Sequence, residues 1–278
     1  MNQPRIDPYL DTVVHIVEAR QARPNLPDDG CPFCVGGLEA PDPYEVKAFP
    51  NRWPALGDGN CEVVLYSPHH DATFHGLGTA GVRRVVDLWA DRTSALLARP
   101  GTEYVMVFEN RGAEVGATIS HPHGQIYAFD HTPERVARMF AAGWTPDAST
   151  DRSVTANDHW TAATPVAPVF PVSVCLAPRV LTGRLPDLSG EQRNGLAGIL
   201  VDVLARLDRL YGTPLPYMLW VNQAPRTGAG SDWLNIEIVS PWRSKGVPRH
   251  IAAAEVAGGE YFNPVNPEDL AGRLRALA

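Results

Sequence analysis

The order helix, strand ending in asparagine, loop, strand occurs twice in this 278-residue chain, and that repeat constrains the fold more than any other feature. Residues 81–97 place Val82, Val85, Val86, Leu88 and Trp89 at helical spacing; residues 190–211 do the same with Leu196, Ile199, Leu200, Val203, Leu204 and Leu207. Ser189 followed by Gln192 reads as a capping box opening the second helix. The first helix leads into strand 104–110, which ends in Asn110, then a loop and 121–127. The second leads into 217–223 with Asn222 near its end, then a loop and 233–239. Matching the polar residues at i and i+2 pairs His121 and His123 with Asn235 and Glu237, so only the first half keeps imidazoles. Asn266-Pro267-Glu268 supplies a cap, a first-turn proline and a first-turn acid for a final helix. The polar stretch 143–157 reads as the join, which predicts halves at 1–145 and 155–278.

His121-Pro122-His123-Gly124-Gln125 is where the chemistry concentrates. In extended backbone, side chains at i and i+2 share a face. Pro122 fixes its own φ and pushes His121 toward extended conformation. One imidazole can then serve a structural group while the other faces a substrate. Upstream, residues 110–118 form a glycine-containing polar loop of the kind that brings backbone N–H groups to a phosphate.

Composition narrows the class. No run of about 18 apolar residues suggests a membrane span, and Met-Asn-Gln-Pro-Arg-Ile-Asp lacks a signal peptide's apolar core. Cytoplasmic location is therefore expected. A net charge of −7 argues against nucleic acid as the main partner. Of the four cysteines, Cys31 and Cys34 form a Cys-x-x-Cys pair, while Cys61 and Cys175 sit in apparent strands as packing residues.

The block Phe108-Glu109-Asn110-x-Gly112-x-x-x-Gly116-x-Thr118-x-x-His121-Pro122-His123-Gly124-Gln125-Ile126 resembles galactose-1-phosphate uridylyltransferase, a family within the histidine-triad superfamily. Arg20-x-x-Arg23-Pro24, Cys31-x-x-Cys34, Asn51-Arg52-Trp53-Pro54-Ala55 and Ser67-Pro68-His69-His70 fit ahead of it. Asp158-His159-Trp160, the region of Pro171 and residues 268–277 fit behind. The resemblance implies an α+β fold, a duplicated HIT-like unit whose antiparallel sheet carries packed helices. It also implies a homodimer with shared active sites.

The family's zinc ligands fall on Cys31, Cys34, His70 and His121, with His69 the alternative to His70. Four protein ligands make such a zinc structural. A second metal is not expected, because its positions hold Asn222, Asn235, Glu237 and, near the expected acid, Met139.

The implied chemistry is transfer of a nucleotidyl group from a nucleotide sugar to a sugar 1-phosphate, with His123 as nucleophile. The carbonyl of His121 is expected to hold the other ring nitrogen of His123. Gln125, Thr118 and the amides near Gly116 would bind phosphate oxygens. Hydrolases of the superfamily carry a third histidine where Gln125 stands, and an amide cannot shuttle a proton, so transfer is favoured over hydrolysis. Arg20, Arg23, Asn51 and Asn110 match positions around the nucleotide; Arg52 replaces the usual aspartate. On the acceptor side, His250 stands for a lysine, Phe262 for a glutamine, and Val256, beside Glu255, for a glutamate. The acceptor is thus open between galactose 1-phosphate, another sugar phosphate and inorganic phosphate. A nucleotide phosphorylase or hydrolase is the alternative enzyme, and a zinc-stabilised nucleotide-binding scaffold the non-enzymatic one.

Overall fold

The computed structural model describes residues 4–22, 30–57 and 59–278. A small hairpin of β1 (Pro4–Ile6) and β2 (Val13–His15) precedes β3 (Lys47–Pro50), β4 (Cys61–Leu65), α1 (Gly78–Leu97), β5 (Tyr104–Arg111), β6 (His123–Phe129) and α2 (Glu134–Ala141). There follow β7 (Ser153–Ala156), β8 (Trp160–Ala163), β9 (Val172–Pro178), α3 (Gly190–Leu210), β10 (Tyr217–Asn222) and β11 (Asn235–Ser240). The ribbon β12 (Trp242–Ser244) and β13 (Val247–Pro248), then α4 (Ala253–Gly258) and α5 (Pro267–Arg275), close the chain.

Nine strands form one antiparallel sheet in the order β3-β4-β6-β5-β10-β11-β9-β8-β7. The order is a palindrome about the β5–β10 junction: β6 answers β11, β4 answers β9 and β3 answers β8. Each long helix falls between the corresponding strands, α1 between β4 and β5 and α3 between β9 and β10. The helix–strand–loop–strand repeat is therefore real as topology. Ser189 and Gln192 make the expected capping box, and the Asn266 side chain caps α5.

Period-3.6 apolar faces explain the layering. Val82, Val85, Val86 and Trp89 of α1 join Leu196, Leu200, Val203 and Leu207 of α3 in one core beneath the sheet. Trp89 is fully buried against the rings of Tyr66 and Phe74. Truncating such a residue costs about 3–5 kcal/mol. The other sheet face is open over much of its width. There β6 alternates half-buried His123, Gln125, Tyr127 and Phe129 with buried Gly124, Ile126 and Ala128. Only at the β3–β4 end does the Cys-x-x-Cys segment cover this face, through Phe33 and Ala40 packed on Val63 and Leu65. This is why all five residues of β4 are buried. Cys175 is half-buried on the face of Glu237, and burial pushes its thiol pKa up.

The strand register corrects one correspondence. Phe108 pairs with both Gln125 and Trp220, and Trp220 pairs with Glu237. With Asn110 matched to Asn222, Gln125 is then the partner of Glu237, and His123 that of Asn235. A slip of one residue would have turned every side chain over, but a slip of two keeps each on its face. The polar alternation alone therefore could not detect it.

Candidate functional site

Three chain segments converge on one cluster. The ligand atoms of Cys31, Cys34, His70 and His121 all lie within 4.8 Å of one another. Cys34 Sγ is 3.6 Å from His70 Nδ1 and 3.7 Å from His121 Nδ1, and Cys31 Sγ is also 3.7 Å from His121 Nδ1. Tetrahedral zinc, with Zn–S near 2.3 Å and Zn–N near 2.0–2.1 Å, requires S···N separations of about 3.6 Å. The donor set and its spacing therefore fit that ion. His121 is fully buried, and desolvation holds its pKa below the ordinary imidazole value, leaving a neutral ring with a lone pair. Its Nε2–H donates to the Ser67 carbonyl at 2.7 Å, which aims Nδ1 at the cysteines. The Tyr44 hydroxyl lies 3.0 Å from the same Nε2 and donates to the Phe33 carbonyl. Of the two candidates at 69–70, His70 is the one in the cluster; its neighbour His69 is exposed.

His121 lies just before β6, and His123 is that strand's first residue. His123 Nδ1 sits 2.7 Å from the His121 carbonyl oxygen, the contact expected from the sequence. Donation of Nδ1–H to that carbonyl leaves the Nε2 lone pair as the nucleophilic one. Phe33, between the two cysteines, packs its ring 5.0 Å from that of His123. The Cys/His cluster and the candidate nucleophile are thus joined by backbone, by His121 and by Phe33.

His123 lines a cleft of about 360 Å³ including its open mouth, together with Thr73, Glu109, Asn110, Gly112 and Ser120. The loop leaving β5 forms one wall. It turns at Gly116, whose φ of 86° is left-handed, and Thr118 follows, half-buried. Gln125 stands two residues along β6 on the face of His123. Asn51 Nδ2 donates to Gln125 Oε1 at 3.2 Å, while Asn51 Oδ1 accepts from the Trp53 amide at 2.8 Å. With its oxygen engaged, Gln125 presents an NH₂ group.

The remaining candidates separate. Arg20, on a 3-10 turn over Glu18–Ala22, lies close enough to Cys61 at the start of β4 to act on its thiol. Arg23 lies outside the described residues. Arg52 reaches Glu39 at 2.8 Å and is half-exposed. His250 and Phe262 are exposed and absent from the cleft lining.

Residues 43–133 match the family model for the galactose-1-phosphate uridyl transferase N-terminal domain, and residues 112–276 match that for its C-terminal domain. The chain belongs to the galactose-1-phosphate uridylyltransferase family. It is similar to the galactose-1-phosphate uridylyltransferase of Thermotoga maritima, at 32% identity over 99% of this chain and 98% of the relative. The enzyme of the same name from Streptomyces lividans is 35% identical over 99% of this chain and 86% of its own length. A solved uridylyltransferase structure superposes with a TM-score of 0.91, at 26% identity, covering 99% of this chain and 98% of that one.

Within this family member, the cluster expected to lack a second metal does assemble. Asn222 Nδ2 donates to Asn235 Oδ1 and to Glu237 Oε1, each at 2.8 Å, and Met139 Sδ lies 3.8 Å from Asn235 Nδ2. Arg135 Nη2 contacts both Glu237 oxygens at 2.8 Å, over the Trp220 ring. Two amides, a thioether and a carboxylate already engaged by a guanidinium form a poor transition-metal donor set. Glu255, read as neighbour to a sugar-binding position, is buried. It pairs with Arg249, caps α4 by accepting from the Ala252 amide, and accepts from the Phe262 amide. Its carboxylate is thus committed to holding the 249–262 segment in shape. Sequence reasoning missed Phe33, Tyr44 and Arg135. Only Phe33 carried a signal, its place inside Cys-x-x-Cys.

Proposed function

We propose that this protein transfers the uridylyl group of UDP-glucose to galactose 1-phosphate or a related sugar phosphate through a uridylyl-His123 intermediate. The observation that carries this is the Nδ1 of His123 seated on the His121 carbonyl inside a cleft. His123 Nε2 attacks the α-phosphorus. The N–P bond forms as the P–O bond to glucose 1-phosphate breaks, and the electron pair leaves with that phosphate. Nδ1–H stays on the ring, where the carbonyl dipole stabilises the positive charge that develops. The weakly basic leaving group needs no acid. The acceptor phosphate reverses the step. Gln125, Thr118, Asn110 and the Gly116 loop bind phosphate oxygens, and Arg20, Arg23, Asn51 and Arg52 surround the nucleotide.

Zinc held by Cys31, Cys34, His70 and His121 would act as a structural clasp, fixing the backbone that carries His123. The thiols such a site needs suit a reducing cytoplasm. The half 1–145 carries the nucleotide chemistry and 155–278 the acceptor side. A homodimer is supported by the exposure of Val256 and Phe262, 72% and 69%, on the segment read as acceptor-facing but absent from the lining of its own cleft. No helix among the described residues is long and apolar enough to cross a membrane.

The test is glucose 1-phosphate release from UDP-glucose. A single-turnover burst followed by turnover only on adding galactose 1-phosphate supports transfer. Turnover with inorganic phosphate alone indicates a phosphorylase, and steady UMP production a hydrolase.

A further inference from the structure

One carboxylate of the second half holds segments that line this cleft. Asp208, in the last turn of α3, receives the Arg111 guanidinium by two bonds of 2.9 Å, Nη1 to Oδ1 and Nη2 to Oδ2. Arg111 ends β5. Its side chain shares the helix-facing side of the sheet with buried Val107, while its backbone leads into the loop that walls the cleft. The guanidinium also lies over the ring of Tyr217, its strand partner. Asp208 Oδ1 accepts the Leu215 amide as well, at 2.9 Å. Arg111 and Leu215 immediately precede Gly112 and Pro216, and those two residues touch: a Cβ at Gly112 would fall 2.7 Å from Pro216 Cβ. From there the loop closes on one atom. The Gly112 carbonyl accepts the amides of Val115 at 3.3 Å and Ala117 at 3.1 Å, and Thr118 comes next. The same carboxylate meets a second lining segment. His75 Nδ1 is 3.7 Å from Asp208 Oδ2, and the Gly76 amide donates at 3.2 Å to Thr73 Oγ1, in the lining.

A loop between strands is ordinarily the freest part of a sheet. Here its first residue is fixed, because a forked guanidinium–carboxylate pair has one geometry and both partners sit on rigid elements. We propose that the Arg111–Asp208 pair is a positioning device for the transfer reaction: it sets where Gly112 and the loop to Thr118 stand relative to His123. The second half of the chain thereby governs chemistry carried by the first. With both Nη atoms given to Asp208, Arg111 acts through the loop and not on the substrate. The role rests on the reading of the cleft as the site of nucleotidyl transfer. Such transfer depends on alignment, and a displacement of about 1 Å can cost on the order of 100-fold in rate.

The experiment is single-turnover uridylylation by UDP-glucose, read at saturation, beside thermal melts. Asp208→Asn keeps an acceptor for the Leu215 amide but loses the charged fork; Arg111→Met removes the other partner. Each should slow the saturated rate by about 10- to 100-fold. The double variant should be no slower than the slower single one, because both act through one contact. Arg111→Lys keeps the charge without the fork and should fall between wild type and Arg111→Met. As the mildest change, it carries the test if the others fail to fold. Asp202→Asn is the comparison. It breaks the 2.7 Å contact of Asp202 with Arg206 on the same helix, and neither residue lines the cleft. It should lower the melting temperature yet leave the rate within about twofold of wild type. Rates that follow melting temperature alike in Asp202→Asn and Asp208→Asn overturn the positioning role. So does an unchanged saturated rate in the Arg111 and Asp208 variants, or a double variant slowed by the product of the two singles. No uridylyl-protein from the wild type overturns the transfer reading and this role with it.

Discussion

Asn51 offers two substitutions that should rank in opposite orders for activity and for stability. Its Nδ2 donates to Gln125 Oε1 while its Oδ1 accepts from the Trp53 amide. Asn51→Ala removes both bonds. A neutral hydrogen bond is worth about 1 kcal/mol, so the loss of Gln125 orientation is expected to slow phosphoryl transfer to His123 about fivefold, with a similar loss of stability from the Trp53 amide. Asn51→Asp keeps the acceptor for Trp53 but has only acceptors to offer Gln125. The glutamine amide then turns over, giving its NH₂ to the introduced carboxylate and its oxygen to the cleft. A charge-assisted bond from amide to phosphate, worth about 1.5–3 kcal/mol, becomes a repulsion, so the transfer rate should fall by about 10- to 150-fold. The assay is quenched single-turnover formation of uridylyl-protein from UDP-glucose, beside thermal melts. The aspartate variant should be the more stable and the less active of the two. An aspartate variant as active as the alanine one would refute the role given to Gln125's NH₂ group.

Three further outcomes follow from the same geometry. Cys34→Ser should lower bound zinc well below one per chain, reduce the melting temperature and slow uridylylation, with elemental analysis on the same samples as the check. Gly124→Ala would drive a Cβ into the Tyr66 hydroxyl and to 2.9 Å from the Phe108 carbonyl oxygen. Displacing the His123 strand in this way should cost about 1–3 kcal/mol of stability and on the order of 100-fold in rate, partly recovered by adding Tyr66→Phe. Glu109 is raised from 4.5 to about 7 by desolvation first of all, so the folded state holds a proton that the unfolded state has released. Stability therefore falls as pH rises from about 4.5 to 7, and Glu109→Gln should remove that slope. At pH 8 the gain is at most about 3 kcal/mol, read from denaturant melts against pH.

The sequence carried this site unevenly, for physical reasons. Cys31, Cys34 and His121 declare themselves by residue chemistry, and His123 by its neighbours. Their convergence with His70 follows from β4 pairing with β6, with Leu65 opposite His123. The helical repeat was visible because 3.6-residue periodicity is a property of the chain alone. The two-residue slip between halves was not, because alternation has period two and only interstrand pairing fixes register. Arg135 gave no sign of its role. Its contact with Glu237 spans 102 residues and depends on where α2 lands. Nor did Glu255 reveal that it would point inward to Arg249, since a carboxylate in a polar C-terminal segment reads the same whether it faces a sugar or a buried guanidinium.

Peptide mass spectrometry after brief exposure to UDP-glucose without acceptor tests the central claim most directly. The account requires one UMP added per active site, on the peptide containing His121 and His123. The site should be His123 and should be discharged by galactose 1-phosphate or another sugar phosphate. An unmodified protein that still turns over UDP-glucose, or a UMP carried elsewhere, would contradict it.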